Sequence, residues 1–184
     1  MLLRHLSLNL RQYLDKVAPF PVLLTSYLQF EQFKFMPLPK VLPIPTLVVL
    51  LGGQTVINRQ IRHDFDLIEI AKEGLPKQAL DALALQISFS TKEMAEVLNV
   101  SERTVQRYRD DQRLDKDASG KLIRLAKLYE LGEETFGSLT RFKGWMQSRI
   151  PALGGKRPVE LLDTPLGYEL IERELIYIEH GLFA

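Results

Sequence analysis

Cysteine is absent from the 184 residues, which removes disulfides, thiolate zinc sites, iron–sulfur clusters and cysteine nucleophiles together and suits a reducing compartment, the cytoplasm. Histidine is scarce as well: His5, His63 and His180 lie in separate segments without ligand spacing, so no metal site is expected. Net charge is nearly absent, +1 from 24 basic and 23 acidic residues, whereas a general polyanion binder carries a broad basic excess. Any contact with nucleic acid must therefore be local. Long apolar runs are missing too. Arg4, His5, Arg11, Asp15 and Lys16 interrupt the start of the chain and leave no clean signal peptide. The best apolar stretch, Val41 to Leu51, contains Pro43 and Pro45 and falls far short of the ~20 residues of a membrane span, so it reads as a buried segment with no membrane role.

The composition that remains, 46% hydrophobic and 26% charged, is that of a globular protein, and the length accommodates two small modules. Prolines at 19, 21, 37, 39, 43 and 45 set residues 1–49 apart as an extension that is irregular or partly helical. One helix is expected there from about Leu6 to Val17, and Met36 offers a second translation start. The only candidate for a strand is Leu47 to Asn58.

From Asp66 onward the pattern is one of short helices with readable ends. Asp66 is a capping residue with Glu69 reaching back, and Gly74 ends that helix. A helix starting at Pro76 carries Ala79, Leu80, Leu83, Ala84 and Ile87 on one face. Ser90 and Glu93 open the next, which turns Met94, Ala95, Val97 and Leu98 inward and stops at Asn99. Ser101 caps another with Val105 and Tyr108 inward. Ser119 or Gly120 then starts a long amphipathic helix running to Gly137, and Thr140 caps one bearing Phe142, Trp145 and Met146. Ile150 to Gly155 reads as a loop and Pro158 as the start of a short helix. Thr164 and Pro165 open the last helix, with Leu170, Ile171, Leu175 and Ile178 inward as far as Gly181. The fold class is all-α.

Residues Thr91 to Tyr108 meet the steric demands of a helix-turn-helix. Ala95 provides the small residue where the two helices cross, Asn99 accepts the left-handed turn, and Val100 and Val105 lock the second helix onto the first. The second helix then presents Arg103, Gln106 and Arg107 to base edges and Ser101 and Thr104 to phosphates. Residues 90–115 nevertheless hold five basic and six acidic side chains, with Asp110 and Asp111 directly behind the second helix. That balance predicts weak DNA affinity per copy, and hence a homodimer; it also leaves open an αα-hairpin without a nucleic-acid role.

The order of features from Lys121 to Ala184 resembles the toxin-binding domain of the Xre/MbcA/ParS family of bacterial antitoxins, partners of RES-domain toxins. The likeness rests on the Leu122 to Phe136 helix ending in Glu133-Glu134-Thr135-Phe136-Gly137, on Trp145, on Ile150-Pro151-Ala152-Leu153-Gly154-Gly155-Lys156-Arg157-Pro158 running into Glu160-Leu161-Leu162, and on the closing Ile178-Glu179-His180-Gly181. Upstream, Leu51-Gly52-Gly53, Asp66-Leu67-Ile68-Glu69, Gly74-Leu75-Pro76 and the helix-turn-helix follow the family's order, so the resemblance spans roughly residues 50–184. It implies a helix-turn-helix domain over 50–118 and a small helical toxin-binding domain over 119–184. It further implies a protein that neutralises a cognate RES-domain toxin, an enzyme acting on NAD, by covering its active-site cleft, and that represses its own operon by binding operator DNA. The positions carried over as toxin-facing are Glu179, His180, Gly181, Leu182 and Phe183. Leu182 and Phe183, just past a helix stop, form either an apolar anchor for a partner or, with Phe183 folded onto Trp145, a lid on the core. The Pro-rich start, Asn99 in place of a glycine and the acidic run depart from the family pattern.

No enzyme and no cofactor are indicated. His63 and Asp64 are adjacent, hence divergent, and no activated nucleophile accompanies them. Gly154-Gly155-Lys156-Arg157 lacks the spacing of a phosphate-binding loop, and Gly52-Gly53-Gln54 is too short a match to carry meaning. Two other readings of the chain are a stand-alone helix-turn-helix transcription regulator and an assembly protein whose helix-turn-helix no longer binds DNA.

Overall fold

The computed structural model describes residues 44–181; the expected helix at Leu6 to Val17 and the residues Leu182 and Phe183 lie outside them. Nine α-helices are described: α1 Ile44–Leu50, α2 Gln54–Ile57, α3 Asp64–Glu73, α4 Lys77–Ile87, α5 Thr91–Leu98, α6 Glu102–Arg107, α7 Lys116–Phe136, α8 Leu139–Met146 and α9 Pro165–Glu179. Two 3-10 turns, Pro151–Leu153 and Pro158–Leu161, separate α8 from α9. No strand occurs among the described residues, only isolated bridges between Pro76 and Arg113 and between Ile150 and Lys156.

The stretch read as a candidate strand is helical. Pro45 stands in the first turn of α1, where its missing N–H is no loss. Leu47, Leu50 and Leu51 are buried, so the apolar stretch is an interior segment as its composition requires. The Leu47 N–H, in the first turn of α1, donates to Oε1 of Glu130 on α7 at 2.9 Å. Gly52 and Gly53, at φ of 96° and 87°, then turn the chain into α2.

Three helix starts differ from the sequence reading. α3 starts three residues earlier than a cap at Asp66 predicts, at Asp64, with His63 in the cap position. Asp66 occupies the third position, and its carboxylate accepts the N–H groups of Arg62 and His63 at 2.7 and 2.9 Å. These two bonds hold the Asp66 pKa below the ordinary carboxylate value. α7 is capped by Asp115, whose carboxylate accepts the Ala118 N–H at 2.8 Å. Ser119 is not a cap but a buried hydroxyl that accepts the Leu75 N–H at 2.8 Å. α8 is capped by Ser138, not Thr140. The caps at Ser90, Ser101 and Thr164 and the stops at Asn99 and Gly137 fall where the sequence places them.

Helix α7 is central among the described residues and touches α1, α3, α4, α5, α8 and α9. Leu122, Leu125 and Ala126 are 0% exposed, and Ile123, Leu128 and Tyr129 are buried around them, so the helix is enclosed on nearly every side along its middle. Aromatic rings extend the core from there. Phe89 and Phe142 meet Tyr129 edge-on, with centroids at 5.9 and 5.0 Å, and Trp145 stacks on Phe142 at 5.8 Å. Such close approach needs glycine at two points. A Cβ on Gly132 would enter the Phe142 ring, and one on Gly167 would strike the Leu161 carbonyl.

Gly132→Ala and Gly167→Ala are both expected to destabilise the protein, by roughly 1–3 kcal/mol where side chains can yield. The Gly167 variant should be the worse, because a backbone carbonyl yields less than a ring; urea unfolding of the two variants checks the order. Glu130 gives a second prediction. Burial, only partly offset by the Leu47 bond, raises its pKa, so the folded state holds that proton more tightly than the unfolded chain. Glu130 therefore favours folding below its ordinary pKa and opposes it increasingly as pH rises through the raised value. Glu130→Gln should remove this pH dependence without loss of stability at pH 7. Glu130→Leu should cost about 1–3 kcal/mol by orphaning the Leu47 N–H. Denaturant titrations at pH 5 and pH 7 distinguish the two.

Candidate functional site

The helix-turn-helix assembles as its residue types demand. At the N-terminus of α5, the Ser90 side chain accepts the Glu93 N–H at 3.2 Å, while the Glu93 carboxylate accepts the Ser90 N–H at 2.7 Å. The helix stops at Asn99, at φ 60° and ψ 42°; the Val100 N–H then reaches back to the Ala95 carbonyl at 3.0 Å. Ala95 is 3% exposed at the crossing with α6, and Val105 is buried from the other side. Lys121 of α7 adds a support that local spacing does not reveal, its ammonium donating to the Leu98 carbonyl at 3.0 Å. The chain leaving α6 is clamped as well. The Lys77 N–H donates to the Gln112 carbonyl at 3.0 Å and the Leu114 N–H to the Leu75 carbonyl at 2.8 Å.

Ser101, Arg103, Thr104, Gln106 and Arg107 are all exposed on α6. The Ser101 hydroxyl caps the helix by accepting the Thr104 N–H at 3.1 Å and shares a hydrogen bond with Thr104 Oγ1 at 2.8 Å. One hydroxyl proton of the pair thus stays available to a phosphate oxygen. Among the described residues Arg103, Gln106 and Arg107 make no ion pair or side-chain hydrogen bond.

The acidic run behind them is partly paired. Asp111 takes a two-point bond from Arg109, at 3.1 and 2.9 Å. Asp110 lies 3.6 Å from the Lys77 ammonium; the hydrogen bond from Lys77 to Asp81 is the main reason that the lysine pKa is raised. The simple count of five cations against six anions misses this arrangement, in which Asp111 is held by Arg109 while Arg103 and Arg107, with the exposed Glu102 beside them, are unpaired.

The C-terminal half places its features differently from the helix-turn-helix. In α9, Gly167, Tyr168, Ile171 and Leu175 are buried, Tyr168 lying under the Arg124 guanidinium, 4.5 Å from the ring centroid. Leu170 and Ile178 are half-buried. Glu179, His180 and Gly181 lie together and exposed where the helix ends. His180 turns back on its own helix, with Nδ1 2.8 Å from the Ile176 carbonyl oxygen, which leaves Nε2 outward. Gly181, at φ 67°, redirects the chain. Ile176 and Tyr177, 48% and 38% exposed, lie one turn before this exit; neither was singled out from sequence, because helical periodicity marks inward positions and says nothing of which outward ones are apolar.

The loop at 150–157 does not form a phosphate cradle. The N–H groups of Gly154, Gly155 and Lys156 are taken by the carbonyls of Pro151, Ile150 and Leu153, and that of Arg157 by Glu160. His63 precedes α3, where its N–H is held by Asp66. No three His, Asp or Glu side chains among the described residues lie close enough together to hold a metal ion, and no described helix is long and apolar enough to cross a membrane.

Comparison with known proteins follows the same division. Residues 66–127 match the antitoxin Xre-like helix-turn-helix domain, and residues 131–181 match the antitoxin Xre/MbcA/ParS C-terminal toxin-binding domain. The two matches meet inside α7. The chain is similar to the Prs ADP-ribosylating antitoxin of Sphingobium sp. (strain YBL2), 31% identical over 129 residues that cover 65% of this chain and 81% of that protein. It is similar also to antitoxin Xre of Yersinia enterocolitica, 26% identical over 123 residues, covering 64% and 81% respectively. With a capped helix-turn-helix joined through one central helix to the matched C-terminal domain, the chain belongs to the Xre/MbcA/ParS family of antitoxins, whose members pair a helix-turn-helix with a toxin-binding domain.

Proposed function

We propose that this antitoxin neutralises a RES-domain toxin that consumes NAD, covering the toxin's active-site cleft with the exit of α9, and that it represses its own operon as a homodimer. Glu179, His180, Gly181, Leu182 and Phe183 are the toxin-facing residues in this reading. Ser101, Arg103, Thr104, Gln106 and Arg107 are the DNA-facing ones, with the arginines on guanine edges, Gln106 on adenine and the two hydroxyls on phosphates. The chain performs no catalysis of its own and acts in the cytoplasm. The domains divide in this reading into an extension over 1–49, a helix-turn-helix domain over 50–118 and a toxin-binding domain over 119–184.

The observation that carries the DNA part is the unpaired state of Arg103 and Arg107 while the nearby Asp111 is held by Arg109. It favours operator binding over an αα-hairpin without DNA, since exposed arginines with no internal partner keep their charge for phosphate or base. The toxin part is supported by the exposed helix exit and by the apolar residues that follow it in the sequence.

Tagged protein expressed with the product of the adjacent reading frame should bring that product down, and cells should grow only when both are made. Arg103→Ala with Arg107→Ala should weaken operator binding by one to two orders of magnitude and lower its salt dependence, with growth rescue intact. Deletion of Leu182 to Ala184 should do the reverse, abolishing rescue and leaving operator binding unchanged. Rescue by the truncated chain at the level of the full one would overturn the tail assignment.

A further inference from the structure

Charge is balanced over the whole chain but not along it. From Thr135 to Val159 there are five cations, Arg141, Lys143, Arg149, Lys156 and Arg157, and no carboxylate. They belong to α8 and to the loop that follows it, and all but the half-buried Lys143 are exposed. Little in the fold neutralises them. Arg141 and Lys156 make no ion pair or side-chain hydrogen bond among the described residues. Arg149 donates to the Gly155 carbonyl at 3.2 Å, and Lys143 to the Gln86 carbonyl and the Ser88 hydroxyl at 3.1 and 3.0 Å. Bonds to neutral acceptors hold these side chains in place without cancelling their charge. Among the described residues only Arg157 of the five meets a carboxylate, that of Glu160 at 2.8 Å. The Arg157 N–H and guanidinium, with a weaker contribution from Arg149, hold the Glu160 pKa below its ordinary value. Arg149 and Arg157 thus face the same spot, and the bridge between Ile150 and Lys156 closes the loop that carries all three cations.

Exposed cations without internal partners attract an anion, and the loop selects which kind. Its N–H groups are already bonded within it, so it offers no cradle for a single phosphate or a nucleotide. What remains is a series of separate charges along a helix and a loop, which suits an extended polyanion. The packing of α8 favours DNA over an acidic protein. Lys143 ties α8 to Gln86 and Ser88, directly ahead of α5, and Phe89 at that junction shares the Tyr129 ring with Phe142 of α8. α5 is the first helix of the helix-turn-helix, the one that crosses the phosphate backbone while the second enters the groove. Residues 90–115, with five cations against six anions, are themselves short of the charge that phosphate contact needs. We propose that Arg141, Arg149 and Lys156 contact operator phosphates beside the stretch read by α6, so that the part of the chain matched to toxin binding also supplies DNA affinity. The proposal rests on the operator-binding reading above.

The test titrates the full chain, by fluorescence anisotropy, against two labelled duplexes, the DNA upstream of its own reading frame and a scrambled copy, between about 50 and 200 mM salt. Arg141→Gln with Lys156→Gln removes two charges that bond nothing in the fold, and adding Arg149→Gln removes the third. The double variant should bind both duplexes on the order of threefold to tenfold more weakly, and the slope of its salt dependence should fall by about two. Its preference for the upstream duplex should stay parental, because phosphate contacts carry no sequence information. The triple variant should extend both effects, with melting temperature and growth rescue as in the parent. Parental affinity and salt slope in variants that melt normally overturn the surface. Loss of growth rescue with DNA binding unchanged overturns it too, and assigns the cations to an acidic face of the toxin. Absence of binding to either duplex by the parent protein at low salt removes the operator reading, and this proposal with it.

Discussion

The enclosure of α7 is the constraint on which the rest of the structure depends. A helix whose middle is surrounded cannot choose its neighbours one face at a time; α1, α3, α4, α5, α8 and α9 must all be in place before Leu122, Leu125 and Ala126 are dry. Two polar bonds index the helix within this apolar setting. Ser119 fixes its first turns to the α3–α4 connection through the Leu75 N–H, and Glu130 fixes its third to fourth turn to the start of α1. Hydrophobic burial has no direction of its own. Such bonds set the axial position of a helix that oily contacts alone leave free to slide.

From this axis the functional elements are held at graded distance. α5 rests on α7 and is tied to it by the Lys121 ammonium, while α6 leans chiefly on α5 and is clamped by the chain that follows it. α6 enters the core through Val105 alone, so the core orients it while Arg103, Gln106 and Arg107 face away. At the other end, α9 is anchored by Tyr168, Ile171 and Leu175 and loses its buried contacts toward the exit. The exit of α9 is the unburied end of an element whose other end is firmly packed.

How much of this was legible in the sequence depends on the range of the interaction concerned. The caps at Ser90, Ser101 and Thr164 and the stop at Asn99 are signals spanning three or four residues, and the chain carries them openly. The inward faces of α4 and α5 follow from helical spacing for the same reason. The starts of α3, α7 and α8 were displaced because His63 and Asp66, Asp115 and Ser119, and Ser138 and Thr140 each put two polar candidates within about one turn, which local spacing does not rank. Ser119 lost its role as a cap to a residue 44 positions away. The helix at Ile44–Leu50 was hidden by its proline, which breaks a helix in the interior and is harmless in the first turn. The residues of the candidate DNA surface were readable from the helix-turn-helix pattern. The release of Arg103 and Arg107 from their acidic neighbours was not, since it depends on where Lys77 and Arg109 come to lie.

One feature of the fold also bears on how such a protein changes over generations. The two matched regions meet in the interior of a continuous helix and not in a linker. Recombination at that boundary would join half of one buried helix to half of another and disrupt every layer packed around it. New pairings of the two domains therefore do not arise by exchange at this seam. Change is left to point substitutions at exposed positions, such as those on α6 and at the end of α9, where a new side chain leaves the interior undisturbed and the frame between them is inherited whole.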